Sequence, residues 1–201
     1  MNENIFITDM GFGSNISHSW DKGVKEKSDW IKWAENQPPK VFIETGTYRG
    51  VTARELMHSS FETIHTIEAD EYWYKYAMNA VAKEKSDKKI THHLGYSQDI
   101  LPSILKKINE PCFFFLDAHE STASPIDFKL NPEKINLLNV LDEELSVITN
   151  HRKDHIVLCD DAIERTWIEL YNKYFKNTHK CIITSKFTHL RCDQIAIYIP
   201  L

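Results

Sequence analysis

The chain is poor in the features that would assign a protein at a glance. No run of about eighteen apolar residues occurs, so no membrane-spanning helix is expected. The stretch from Met1 to Asp9 has no basic region leading into an apolar one, so no secretion signal is expected, and the compartment it implies is the cytoplasm. The four cysteines, Cys112, Cys159, Cys181 and Cys192, form no C-x-x-C pair. Three lie in or beside apolar runs, where cysteine behaves as a small buried hydrophobe, so reduced thiols are expected. Basic residues are not in excess: Lys and Arg number 24 against 29 Asp and Glu, a formal charge of -5. That balance argues against a dedicated nucleic-acid partner. Glycine is scarce, six in 201 residues, and G-x-G-x-x-G is absent, which disfavours a nicotinamide-dependent oxidoreductase. Repeats, low-complexity tracts and linkers are also missing, so residues 1–201 read as one domain. With 42% hydrophobic and 26% charged residues, its composition is that of an ordinary globular protein able to bury a core without staples.

What is present is an alternation of short apolar runs with longer helix-like stretches. Lys40–Glu44, Thr63–Ile67, Lys89–Leu94, Cys112–Leu116 and His155–Cys159 read as buried strands. Between them, Val51–Ser60, the aromatic-rich Glu71–Glu84, Ile100–Ile108 and Ile135–Ile148 have helical spacing, and a further helix is expected over Ala162–Tyr174. Lys180–Ser185 and Gln194–Ile199 are strands with no long helix between them, which predicts an antiparallel hairpin at the sheet edge. The whole predicts an α/β fold: a mostly parallel seven-stranded sheet with helices on both faces. Residues 1–35 are less regular and contain a helix with Trp30 and Trp33; they either cap the site or pack on the sheet. Trp30, Trp33, Trp73 and Trp167 read as packing residues, and His92 and His93 as surface or satisfied core groups.

In such sheets ligands bind outside the carboxyl ends of the strands, and unusual residues stand there. Glu44 ends the first predicted strand and is followed by Gly46 and Gly50. Glycine permits a sharp turn and a close approach to the backbone. An acidic residue at that place suits a cationic amino-acid moiety better than a pyrophosphate. Alone, the two glycines fit a plain tight turn equally well. Glu68 ends the second predicted strand, where a carboxylate accepts hydrogen bonds from both ribose hydroxyls, or simply sits at the surface. Beyond the third, Ser97 and Gln98 offer a hydroxyl and an amide to an adenine edge.

These residues carry a resemblance to the class I S-adenosylmethionine-dependent methyltransferases, and among them to the catechol-type, metal-dependent O-methyltransferases. The E-x-G-x-Y-x-G-x-S segment of those enzymes is matched by Glu44-Thr45-Gly46-Thr47-Tyr48-Arg49-Gly50-Val51-Thr52, with threonine for the closing serine. Their acidic residue after the second strand is matched by Glu68, and their G-x-S-Q-D-I-x-P stretch by Gly95 to Pro102. The likeness covers roughly Val41 to Glu164. The run Phe42 to Tyr48 with Leu116 to His119 is also similar to small, poorly characterised methyltransferase-like proteins of bacteria and viruses. The resemblance implies a Rossmann-like fold that binds S-adenosylmethionine through Glu44, Gly46, Thr47, Tyr48, Gly50, Thr52, Glu68, Ser97, Gln98 and Asp117.

Two more strand ends are acidic, with Asp117-Ala118-His119-Glu120 after the fourth and Asp160-Asp161 after the fifth. Carboxylates converging there call for a cation. Oxygen ligands suit Mg²⁺ or Ca²⁺, and Mn²⁺ if His119 joins. The resemblance likewise implies Mg²⁺ on Asp117, Asp160 and Asp161. Alternatively, Asp160 or Asp161 caps the next helix. A bound cation would lower the pKa of a substrate hydroxyl and orient it. The catechol-type lysine three residues after the aspartate is replaced by Glu120, so His119 is the best candidate base and Glu120 a group near metal or substrate. The segment from Ser121 to Asn136, with Pro125 and Pro132, is a loop on the active face expected to set selectivity. The expected function is metal-assisted O-methylation of a small hydroxylated molecule or sugar. The alternative is a non-catalytic binding protein on the same fold. A small-molecule substrate is the expected partner, with no membrane and a homodimer as an admissible assembly.

Overall fold

A computed structural model of the chain describes residues 4–7, 29–84, 86–88, 90–118, 136–162, 164–188 and 191–201. In chain order the elements are β1 (Ile5–Ile7), α1 (Asp29–Ala34), β2 (Val41–Thr45), α2 (Val51–Leu56), β3 (Thr63–Glu68), α3 (Glu71–Val81) and β4 (Ile90–Leu94). They continue with α4 (Ser97–Leu105), β5 (Cys112–Leu116), α5 (Leu137–His151), β6 (Ile156–Ala162), α6 (Glu164–Leu170), a π turn (Tyr171–Phe175), β7 (His179–Thr188) and β8 (Arg191–Pro200).

The strands form one sheet in the order β1-β7-β8-β6-β5-β2-β3-β4. All pairings are parallel except those of β8 with β6 and β7. The expected terminal hairpin is therefore present. β2 and β5 are neighbouring interior strands and every residue in both is buried, which is why they read as unbroken apolar runs. Alternate residues feed two cores. Val41, Ile43, Phe114, Leu116 and Val157 pack with Leu101, Leu141, Leu145 and Trp167 of the helices on one face. Phe42, Phe113, Phe115 and Leu158 pack with Trp30, Ile31, Leu56 and Phe61 on the other. Trp30 stacks on Phe115 with ring centroids 4.7 Å apart, so α1 packs on the sheet.

The sheet has eight strands where seven were expected. The additional β1 pairs with β7 (Ile5 opposite Cys181, Ile7 opposite Ile183) at the far edge. Three residues are too few to show a hydrophobic period, and such a strand exists by virtue of the edge it extends. A second difference concerns α4, which starts at Ser97 rather than Ile100. Ser-Gln-Asp looks like loop by composition, but Asp99 suits the positive end of a helix. The third difference is at β6. The strand runs through Asp160 and Asp161 to Ala162, and α6 begins only at Glu164, so these aspartates belong to the strand and not to a helix cap. Between Cys159 (opposite Ala196) and Ala162 (opposite Gln194) β6 carries one residue more than β8, a bulge at the aspartate pair.

Cys112, Cys159 and Cys181 are buried and unbridged, as expected, and burial pushes the Cys112 and Cys181 thiols up to about 12. No described helix is long and apolar enough to cross a membrane. His119, Glu120, most of the expected 121–136 loop, most of the N-terminal segment and the side chains of Asp161 and Cys192 lie outside what the structure describes.

Candidate functional site

From β2 the chain moves outward to β3 and β4, then returns to the other side of β2 with β5. That reversal opens a crevice above the carboxyl ends of β2 and β5, the usual ligand position of an open α/β sheet. The turn Thr45–Gly50 lies in it, tied down on both sides. The Asp117 N–H donates to the Thr45 carbonyl at 3.2 Å. On the other side, the Gly46 and Thr47 amides and the Thr47 hydroxyl all donate to the Ile67 carbonyl, at 3.0, 3.2 and 3.1 Å.

Both glycines of the turn adopt left-handed φ, +78° at Gly46 and +71° at Gly50. A Cβ on Gly46 would come within 2.3 Å of the Asp117 carbonyl oxygen, and one on Gly50 within 2.9 Å of the Ala77 Cβ. The close approach they allow is thus of protein to protein: β5 against the turn, and α3 against α2. Tyr48 between them also has positive φ (48°), a conformation that costs a non-glycine residue roughly 1 kcal/mol. Its N–H donates to Glu68 Oε2 at 2.7 Å, which holds it there.

Two carboxyl groups face this turn. Glu44 is only 2% exposed. The Thr52 hydroxyl donates to it, while its Oε2 is buried with no partner among the described residues. Burial, reinforced by the nearby Glu68, raises its pKa to about 8 against the pull of Thr52, so it is mainly protonated at neutral pH. Glu68 accepts the Tyr48 N–H on one oxygen and the Asp70 N–H, at 2.9 Å, on the other. Burial raises its pKa as well, opposed by those amide bonds. A carboxylate has about four lone-pair sites, so capacity for a further donor is left. Gly95 at the end of β4 donates its N–H to the Glu68 carbonyl at 2.9 Å, bringing α4 alongside. Ser97 and Gln98, in the first turn of α4, are buried, with the Ser97 hydroxyl 3.4 Å from Gln98 Oε1.

The fold therefore gathers Glu44, the turn Gly46–Gly50, Thr52, Glu68, Ser97, Gln98 and Asp117 around the carboxyl ends of β2 to β5. At the next end, Asp117 and Asp160 directly follow the register partners Leu116 and Cys159. Parallel strands about 4.8 Å apart set the two aspartates side by side. Among the described residues no three His, Cys, Asp or Glu side chains form a metal-binding group.

Two features escaped the reading of the sequence. The Tyr48 ring packs on Trp73 (centroids 4.4 Å apart) with the Arg49 guanidinium over both, so Trp73 braces the turn as well as packing. The other is Glu144 of α5, completely buried, with neither carboxyl oxygen in a well-formed hydrogen bond to a described residue. Its signal was present: Glu144 falls on the apolar stripe of Leu141, Leu145 and Ile148.

No protein-family model and no curated protein matches the sequence. Solved structures do match. The O-methyltransferase of tomaymycin synthesis from Streptomyces achromogenes, in complex with S-adenosylmethionine, is 14% identical, with a TM-score of 0.58 over 85% of this chain and 77% of that one. An O-methyltransferase from Bacillus cereus with S-adenosylhomocysteine, also 14% identical, gives 0.61 over 95% and 85%. An rRNA methylase from Streptococcus thermophilus, 7% identical, gives 0.59 over 85% and 94%. The fold is that of the class I methyltransferases. At such identities the likeness speaks to architecture. Its range, from a tomaymycin-pathway enzyme to an rRNA methylase, means that the methyltransferase fold leaves the acceptor open.

Proposed function

We propose that the chain is an S-adenosylmethionine-dependent methyltransferase that methylates a hydroxyl group of a small molecule or sugar. The observation that carries this reading is Glu44: a buried carboxyl with one oxygen unmatched among the described residues, at the carboxyl end of β2 where the strand order reverses. A buried unpaired polar atom is costly and is normally matched by something. A cationic ammonium is the partner that suits a carboxyl best. The amino-acid end of S-adenosylmethionine offers one, and Glu68 and Ser97-Gln98 stand in line for its ribose and adenine.

S-adenosylmethionine offers a methyl group on a positively charged sulfur; its transfer leaves S-adenosylhomocysteine, and the acceptor hydroxyl gives up its proton. On the protein's side, Glu44 holds the ammonium, Thr47, Tyr48, Gly50 and Thr52 keep the turn in shape, and Glu68 fixes the sugar. Most of the acceleration is positioning, since an in-line displacement depends on alignment. The adjacent Asp117 and Asp160 suit a divalent cation, with Asp161 as third ligand, and Mg²⁺ there would acidify the acceptor hydroxyl. His119 is proposed to receive the proton, with Glu120 facing the acceptor.

Thermal shift tests the donor site, because a ligand of the native state stabilises it. S-adenosylhomocysteine is expected to raise the melting temperature and NAD to leave it unchanged. No shift with S-adenosylmethionine or S-adenosylhomocysteine would sink the proposal. Binding without transfer to any of a panel of catechols, phenols and sugars, with and without Mg²⁺, would support the non-catalytic alternative.

A further inference from the structure

We propose that Glu144 is a strut that ties Thr45 to Ser97 and so holds the two ends of the cofactor site at a fixed distance. This rests on the reading of that site given above. Glu144 belongs to α5, whose buried stripe of Val140, Leu141, Leu145 and Ile148 packs on the sheet. A carboxyl in such a row is an anomaly that needs an explanation. The groups that face it come from three elements. Thr45 of β2 and Ser97 of α4 bring hydroxyls close to the carboxyl, and Cys159 of β6 brings a thiol. No Lys, Arg or His among the described residues is paired with it. A carboxylate there would be an uncompensated buried charge, whereas a carboxylic acid is a neutral group with one donor and spare acceptor capacity. Burial outweighs the two hydroxyls and raises its pKa to about 8.

The location gives the strut its purpose. Thr45 is the last residue of β2, directly before the Gly46 turn and directly after Glu44. Ser97 is the first residue of α4 and neighbours Gln98. One side chain on α5 thus spans the two segments that must keep a fixed distance if they are to hold opposite ends of one elongated ligand. Neither oxygen of Glu144 nor the Thr45 Oγ1 closes a well-formed hydrogen bond with a described residue. The three atoms are in place for a neutral network that tightens when the site is filled.

The experiment compares the wild-type chain with Glu144→Gln, which is neutral and nearly isosteric, and Glu144→Ala, which removes the strut. Melting temperature is measured without ligand from pH 6 to 9.5, and S-adenosylhomocysteine affinity by calorimetry over the same range. Glu144→Gln should bind like the wild type at pH 7, within about twofold, while Glu144→Ala, still folded, should bind about tenfold more weakly. The ratio of wild-type to Glu144→Gln affinity should be constant below pH 7 and fall several-fold above about pH 8, as the wild type alone acquires a charge. The ligand-free melting temperature of the wild type should fall relative to Glu144→Gln from pH 6 to about 8 and level off above, because the unfolded carboxyl is already ionised throughout while the buried one ionises only near pH 8. Equal effects of Gln and Ala at pH 7, or parallel pH profiles for wild type and Glu144→Gln, overturn the proposal. If wild type fails to bind S-adenosylhomocysteine at any pH, the cofactor reading falls and the strut's purpose with it. The ligand-free melting profiles still report separately whether Glu144 holds a proton.

Discussion

Gly46 and Asp117 meet backbone to backbone: a Cβ added to Gly46 would stand 2.3 Å from the Asp117 carbonyl oxygen and 2.7 Å from its carbon. Neither atom can yield easily, because the Asp117 amide is bonded to Thr45 and the Gly46 amide to Ile67. Gly46→Ala must therefore separate the ends of β2 and β5 as well as strain a φ of +78°. The strain alone is worth about 1–2 kcal/mol, or roughly 2–8 °C in melting temperature for a chain of this size. The clash adds to it. Differential scanning calorimetry should show a loss of at least that size together with lost S-adenosylhomocysteine binding.

Glu44 should release its proton when the ligand arrives. With its pKa raised to about 8 by burial, it is protonated in the free protein at pH 7 and ionises against an incoming ammonium. Calorimetric titrations in buffers of different ionisation enthalpy are expected to report a net proton released per ligand bound near pH 7. Glu44→Gln should lose that release and bind at least about tenfold more weakly, in line with the loss of a charged hydrogen bond. Equal proton release by wild type and variant would refute the assignment.

Glu68 holds the turn in shape and, in the proposed site, would also bind the ribose, so one substitution tests both. Its two oxygens hold the Tyr48 and Asp70 amides, and Asp70 in turn caps α3 by accepting the Tyr72 and Trp73 N–H groups. Glutamine can replace one acceptor oxygen but not the second. Glu68→Gln is expected to cost about 1–2 kcal/mol, seen as earlier urea unfolding, and to weaken S-adenosylhomocysteine more than tenfold.

Acid should loosen the protein at the end of the sheet opposite the site. The Cys112 N–H donates to His155 Nδ1, His155 Nε2 meets His151 Nδ1, and His151 Nε2 meets the Ile108 carbonyl, at 2.9, 3.0 and 3.0 Å. The carbonyl requires a hydrogen on His151 Nε2, so every step of this chain is satisfied only when both rings are neutral. His179, bonded through Nε2 to the His155 carbonyl, adds a third. Burial, the largest cause, lowers the pKa of His155 to about 4 and that of His179 below its usual value. Rings with folded pKa below the unfolded value of 6.5 bind fewer protons in the native state. Their contribution to stability is complete above pH 6.5 and is lost as pH falls toward about 4. Denaturant midpoints should drop over that window, and less steeply in His155→Gln.

Substitution of Asp160 tests the proposed cation apart from the donor site. Asp160→Asn is expected to reduce turnover by about 100-fold or more if a cation there activates the acceptor, while S-adenosylhomocysteine affinity changes less than about twofold. Chelation of divalent ions should reproduce the effect in wild type and add little to the variant. Undiminished turnover in the variant would count against the metal.

Much of the architecture could be read from the chain because burial on both faces writes itself into composition. Val41–Thr45 and Cys112–Leu116 are apolar without alternation since helices cover both sides of a central parallel strand. The order of acidic and glycine-bearing strand ends was legible for the same reason: each follows an unmistakable run. Local chemistry also located Gly46 and Gly50 as turn residues. Their actual neighbours, Asp117 and Ala77, are 71 and 27 positions away and come from the assembled sheet.

What the sequence by itself determined is the list of strands, their helical connections and the residues offered at each carboxyl end. The tertiary structure alone decided three things. It added β1, whose three residues are ordered by the exposed edge of β7 and not by any pattern of their own. It placed a bulge at Asp160–Asp161, because the β6–β8 register is a property of a pair of strands. And it turned Gly46 from a turn residue into a point of backbone contact with Asp117, and Glu44 into a buried acid with one oxygen unpartnered among the described residues. Residue identity fixes the chemistry a group can perform, but desolvation and proximity, which set its pKa and its partners, exist only once distant segments have packed.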